Sequence, residues 1–157
     1  MKLFFTLSAF YIIAIGLLVA VPIEAKPIDG LDPYLICKRE TYASEVHCLT
    51  NQYREKQGLP PLQYSSKAEQ VAKSRSQHLC DTNTFTHDGW LQFVGFEYYK
   101  VGENLARGYE TPSKALEALI ASPTHKKNIE APWDALGVYT VNCNGTNYTT
   151  QIFMTEK

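Results

Sequence analysis

The apolar segment at the N-terminus constrains the fold most strongly, because it decides the compartment in which the rest of the chain must fold. After a short basic start, residues 3–21 are almost wholly apolar, interrupted only by Thr6 and Ser8. Pro22 ends this run, and Ala25 supplies the small residue that signal peptidase requires. The pattern predicts a secretory signal that is cleaved after Ala25. An uncleaved signal anchor is the alternative, since the run approaches the length of a membrane span.

The remainder of the chain has the length and charge of one secreted domain. Removing 25 of 157 residues leaves 132, which is typical of a single domain. We expect a signal peptide over residues 1–25, an N-terminal arm over 26–43 and one folded domain over 44–157. The net charge is −1 and no basic stripe is present, which disfavours a nucleic acid partner. No second run of membrane length follows, so we expect no stable membrane span after cleavage and an extracellular location.

Four cysteines follow the predicted signal: Cys37, Cys48, Cys80 and Cys143. An even number of cysteines in an exported chain predicts two disulfides, with three possible connectivities. The sequons at Asn144 and Asn147 are typical of a surface loop in a secreted glycoprotein.

Helix signals recur along the domain. Apolar residues at helical spacing predict a helix over about 44–57, and Ser65-Ser66 is a suitable start for a second. Thr111-Pro112 predicts the start of a third helix, and Ser122-Pro123 predicts a short fourth one that Ser122 would cap. The apolar residues in 81–100 show no clear helical or strand spacing. The segment is rich in aromatic side chains, which suggests that it folds over a core.

The C-terminal part is typical of a β-hairpin. Residues 137–143 are rich in β-formers, Asn144-Gly145 is a strong two-residue turn signal, and residues 148–153 return. Pairing about this turn sets Val141 opposite Tyr148. Helices followed by a hairpin predict an α+β domain in which helices pack on a small sheet.

Three residues could form a site together: His87, Glu103 and His125. Two imidazoles and a carboxylate suit zinc with an open coordination position, and they also suit general acid–base chemistry. If Pro123 is the first residue of its helix, His125 lies in the first turn, where the helix dipole favours a neutral imidazole. The alternative is that each side chain only satisfies a local hydrogen bond.

Five segments, taken in order, resemble the CAP superfamily, which includes cysteine-rich secretory proteins, insect venom allergens and plant pathogenesis-related proteins. The segments are Asn51–Arg54 with Gly58–Leu62, Thr86-His87, Val101–Tyr109, Ser122–Ile129 and Ala135–Tyr139. The similarity is greatest to the compact form of the domain found in bacteria and fungi.

The resemblance implies a three-layer α-β-α sandwich with a small, largely antiparallel sheet. It also implies a cleft formed by His87, Glu103 and His125, with a possible zinc ion. Many animal members have a second glutamate before the second histidine; here Ser122 takes that place as a cleft neighbour, and Glu117 lies one to two positions away from the required face.

Family functions are diverse, so three hypotheses follow. The first is a non-enzymatic extracellular binding module for a sterol, a lipid or a cell-surface protein, with a defence or host-interaction role and no required cofactor. The aromatic residues between Trp90 and Tyr99 would then contact the ligand, or else form core. The second is a zinc-dependent hydrolase with His87 and His125 as ligands and Glu103 as ligand or base. The third is a structural or defence protein that acts through its surface, with the cleft residues as relics or as fold stabilisers.

Overall fold

The computed structural model describes Cys37 and residues 40–157. The predicted signal over residues 1–25 and most of the predicted arm lie outside these residues, so both stay predictions. In chain order the elements are helix α1 (Tyr42–Lys56), strand β1 (Gln63–Tyr64), helix α2 (Ser66–Asp81), a 3₁₀ helix (Trp90–Phe93), strand β2 (Tyr98–Arg107), helix α3 (Pro112–Ala121), helix α4 (Pro123–Glu130), strand β3 (Ala135–Cys143) and strand β4 (Thr146–Glu156).

The helices begin at the residues that the capping signals indicate. Ser65 and Thr111 each accept a hydrogen bond from the backbone amide three residues ahead, which confirms both predicted starts. Helix α1 begins two residues before the predicted boundary, because Thr41 and Ser44 form a reciprocal capping box. Ser122 occupies the N-cap position of α4 but makes no side-chain capping bond, so the prediction that it caps this helix is wrong.

The four strands form one sheet in the order β1-β3-β4-β2. Only β1 and β3 are parallel; the other two pairs are antiparallel. The predicted hairpin is confirmed, with Val141 opposite Tyr148. Strand β2 was not predicted from the sequence, because residues 102–106 are all buried and therefore show no alternation of polar and apolar side chains.

Helices cover both faces of the sheet, which confirms the α-β-α arrangement. On one face, α2 contributes Ala68 and Val71 to a cluster with Ile152. A Cβ atom on Gly137 would overlap the backbone of α2 at residues 68–69, so glycine is needed for this close approach. On the opposite face, α1, α3 and α4 pack on the sheet around a larger cluster that contains Phe153.

Two disulfides are present, as predicted, and the structure resolves their connectivity. Cys37 pairs with Cys48 in α1, and Cys80 at the end of α2 pairs with Cys143 at the end of β3. Among the described residues, no helix combines the length and the apolar character needed to cross a bilayer.

Candidate functional site

Glu103 makes polar contacts with both Arg75 and His87. It lies on β2 and is 5% exposed. Its Oε2 accepts a hydrogen bond of 2.8 Å from Arg75 Nε, and its Oε1 lies 2.8 Å from His87 Nδ1. A carboxylate in an ion pair with arginine offers only acceptors, so the hydrogen between Glu103 and His87 belongs to the imidazole Nδ1. The Nε2 atom of His87 is then free to bind another group.

His125 lies opposite His87. It is the third residue of α4, as predicted, and its ring centroid is 5.8 Å from that of His87, with an angle of 48° between the ring planes. Burial lowers the pKa of His125 below the usual histidine value, and repulsion from His87, whenever that ring is protonated, lowers it further. A neutral imidazole at this position has a lone pair for a metal or a proton.

A buried amide network holds the backbone of His125. Asn104, which is fully buried, donates through Nδ2 to the His125 carbonyl and to Gln151 Oε1, both at 3.1 Å. Asn128 Nδ2 donates to Asn104 Oδ1 at 2.9 Å. Gln151 in turn donates to Thr50 Oγ1 in α1 at 2.9 Å. The first turn of α4 is therefore hydrogen-bonded to β2, and through it to β4 and α1.

The structure brings the three predicted cleft residues together but gives them different roles. His87 has an exposed side chain and Glu103 a buried one, and the carboxylate lies behind the histidine. No cluster of three His, Cys, Asp or Glu side chains with metal-binding geometry occurs in the described part of the chain. The two imidazoles are therefore the groups that could hold a metal, and Glu103 could orient one of them.

The remaining candidates lie away from this pair or contact only the core. Glu117 is exposed on α3, on the rim of a separate pocket. Trp133 is 7% exposed and stacks on Phe153, as expected for a core side chain. His47 is half-buried, and burial lowers its pKa. His78 contacts the ring of Phe93.

Sequence reasoning missed Arg75, and it did not assign roles to Asn104 and Asn128. Arg75 looks like an ordinary surface charge within a helix, and no periodic signal marks it as buried. The two asparagines lie inside segments that carry the CAP resemblance, so the motif itself was the available signal.

Comparison with known proteins agrees with the α-β-α fold and identifies the family. Residues 48–155 match the family described as CAP, the cysteine-rich secretory protein family. This match covers more than half of the chain, and the protein belongs to that family.

Three of the similar proteins come from bacteria. An uncharacterised protein of Bacillus subtilis, YkwD, is 36% identical over 99 residues, which are 58% of this chain but only 38% of that protein. An outer surface protein from Borrelia burgdorferi has a similar structure, with a TM-score of 0.67 and 23% identity over 71% of this chain and 90% of that one. An extracellular protein with an SCP domain from Bacillus anthracis has a TM-score of 0.66 and 27% identity, over 73% of this chain and 40% of that one.

We expect the His125 side chain to titrate below about pH 6.5, the usual histidine value. Changing His87 to Gln removes the positive charge that this ring carries whenever it is protonated, so the pKa of His125 should rise while the effect of burial persists. NMR titration of the imidazole carbon-bound protons measures both values. A His125 pKa above the usual value, or one that falls in His87→Gln, would contradict this account of the site.

Proposed function

We propose that the protein is an extracellular binding module whose His87–His125 pair holds a divalent cation, with zinc the best match to two imidazoles. The observation that carries this proposal is the orientation of His87, whose Nδ1 faces the Glu103 carboxylate while Nε2 stays free. A carboxylate behind a metal-binding histidine is a common arrangement in zinc proteins. Glu103 fits that supporting role.

The separation of the two rings also suits a shared ion. Two imidazoles bound to one tetrahedral zinc, with Zn–N bonds of about 2.0–2.1 Å, have ring centroids roughly 5–6 Å apart. The observed separation is 5.8 Å. A bound zinc ion would supply a Lewis acid that can accept an oxygen or nitrogen ligand from a partner. The lowered pKa of His125 helps, because only the neutral ring coordinates a metal.

Binding is favoured over hydrolysis by the state of Glu103. A hydrolase of the alternative type would use this carboxylate as a ligand or as the base that activates water. Both of its oxygens already have charge-assisted partners, and the side chain is 1% exposed. A movement of this buried carboxylate towards a metal-bound water would weaken its contacts with Arg75 and His87.

A secreted location agrees with the names of two structural relatives, which are called an outer surface protein and an extracellular protein. A sterol or lipid ligand stays a prediction. A groove beside the aromatic segment has a volume of about 390 Å³, and its apolar lining comes from Val71, Phe93 and Phe96, while α2 adds polar side chains to it. A cell-surface partner is the other class of ligand that such a module would bind.

Zinc titration calorimetry on the purified domain tests the proposal directly. We expect saturable one-to-one binding that His87→Gln and His125→Gln each abolish, because each removes one of the two ligands. His78→Gln is the matched control, since this histidine lies on α2 against Phe93 and should leave binding unchanged. Absence of binding in the wild-type domain, or equal binding by all variants, would refute the metal site.

Only one of the two sequons has a side chain that is free for a glycan. Asn144 lies exposed in the hairpin turn. The Nδ2 atom of Asn147, to which a glycan would be attached, donates to the Tyr109 carbonyl at 3.0 Å, and its Oδ1 accepts from Asn142 at 2.7 Å. The proposed modification is therefore a single glycan on Asn144.

Secretion from a eukaryotic host should give one glycan for each chain. We expect Asn144→Gln to remove the mass that a glycosidase releases, whereas Asn147→Gln should retain it. Intact-protein mass spectrometry before and after the glycosidase measures this. Two glycans on the wild-type chain, or a single one that is lost in Asn147→Gln, would be evidence against the assignment.

A further inference from the structure

We propose that Arg75 is a positioning residue for His87: it holds the Glu103 carboxylate and the loop before His87 together, and so fixes which imidazole nitrogen is free. The consequence for cation binding rests on the function proposed above. The effect on the imidazole itself does not, because it can be measured without metal.

Arg75 contacts both groups that determine the place of His87. Its Nε donates to Glu103 Oε2 at 2.8 Å, and its terminal nitrogen donates to the carbonyl of Thr86, the residue directly before His87. The planar guanidinium makes these two bonds with two of its nitrogens, which a single ammonium group cannot reproduce. One side chain on α2 therefore links β2 to the loop that carries His87.

The surroundings of Arg75 leave its guanidinium little freedom to move. The residue is 1% exposed, and its guanidinium carbon lies 5.8 Å from the centre of the Phe93 ring in the 3₁₀ helix. A buried arginine in two directed hydrogen bonds fixes its partners more closely than a solvated one. Movement of the Glu103 carboxylate, or of the backbone at Thr86, would therefore require the loss of one of these bonds.

This arrangement selects one tautomer of His87. Glu103 Oε1 faces Nδ1, so the carboxylate that Arg75 holds accepts the Nδ1 hydrogen and leaves Nε2 with its lone pair. Without the guanidinium, the carboxylate loses its partner and the Thr86 carbonyl is released. The ring can then turn away from Glu103, and both neutral tautomers become populated.

Replacing Arg54 is the matched control for the general effect of losing a buried arginine. Arg54 is also 1% exposed, and it donates to the backbone carbonyls of Pro60, Ile129 and Ala131. These carbonyls lie near the ends of α1 and α4 and are not part of the contacts around His87. Replacing Arg54 therefore removes a buried arginine of the same kind without removing a contact to Glu103 or Thr86.

The experiment compares Arg75→Met, Arg75→Lys and Arg54→Met in the metal-free protein at about pH 8.5, above the usual titration range of histidine. Long-range ¹H–¹⁵N NMR correlations identify the protonated nitrogen of His87. We expect the Nδ1–H form in the wild type and in Arg54→Met, and a mixture of both forms in Arg75→Met. Arg75→Lys should give an intermediate fraction of the Nδ1–H form, because an ammonium can still face Glu103 but does not reproduce both guanidinium bonds. If Arg75→Met does not fold, Arg75→Gln replaces it with the same expectation.

Zinc affinity provides the second measurement. Loss of a residue that orients a metal ligand typically weakens binding about 10–100-fold, and we expect this for Arg75→Met but not for Arg54→Met. An unchanged His87 tautomer in Arg75→Met would overturn the inference, whether or not the wild-type domain binds zinc. A shifted tautomer in a protein that binds no zinc would support the positioning role and refute only the proposed function.

Discussion

The contacts of two successive residues on β2 determine the geometry of the cleft. Glu103 and Asn104 are adjacent on a strand, so their side chains point to opposite faces of the sheet. Glu103 meets Arg75 of α2 on one face, and Asn104 meets Gln151 and the His125 carbonyl on the other. Strand β2 lies at one edge of the sheet. At that edge, Glu103 and Asn104 together connect the helices on both faces of the sheet.

Each of the two residues holds one histidine. His87 comes from the loop after α2 and is held through Glu103, whereas His125 comes from α4 and is held through its backbone by Asn104. The amide contacts are buried, so removing one partner would leave donors or acceptors unsatisfied, at a cost of about 1–3 kcal/mol each. The imidazoles are therefore placed by polar contacts that the fold itself needs.

The sequence predicted the parts of the fold that depend on local signals. Thr111 and Ser65 cap their helices, and Asn144-Gly145 sets the hairpin register, because capping and turn chemistry act over only a few residues. Strand β2 was not predicted, because its buried residues include polar side chains that form hydrogen bonds to the helices on either face of the sheet. Those partners are distant in sequence, and nothing local distinguishes the buried Arg75 from a solvated arginine. The residue types of His87, Glu103 and His125 suggested a shared site, and the family resemblance placed them in one cleft. The structure was needed to show that the two histidines form an outer pair and that the carboxylate supports one of them.

The central claim is that the two imidazoles form the cation site while Glu103 stays in its place behind His87. A crystal structure of the zinc-loaded domain, with anomalous diffraction measured at the zinc edge, tests this most directly. The account predicts one anomalous peak within bonding distance of His87 Nε2 and of a His125 nitrogen, with Glu103 still paired to Arg75 and to His87 Nδ1. A peak coordinated by Glu103, with its contact to Arg75 broken, would contradict the account, as would the absence of any peak between the histidines.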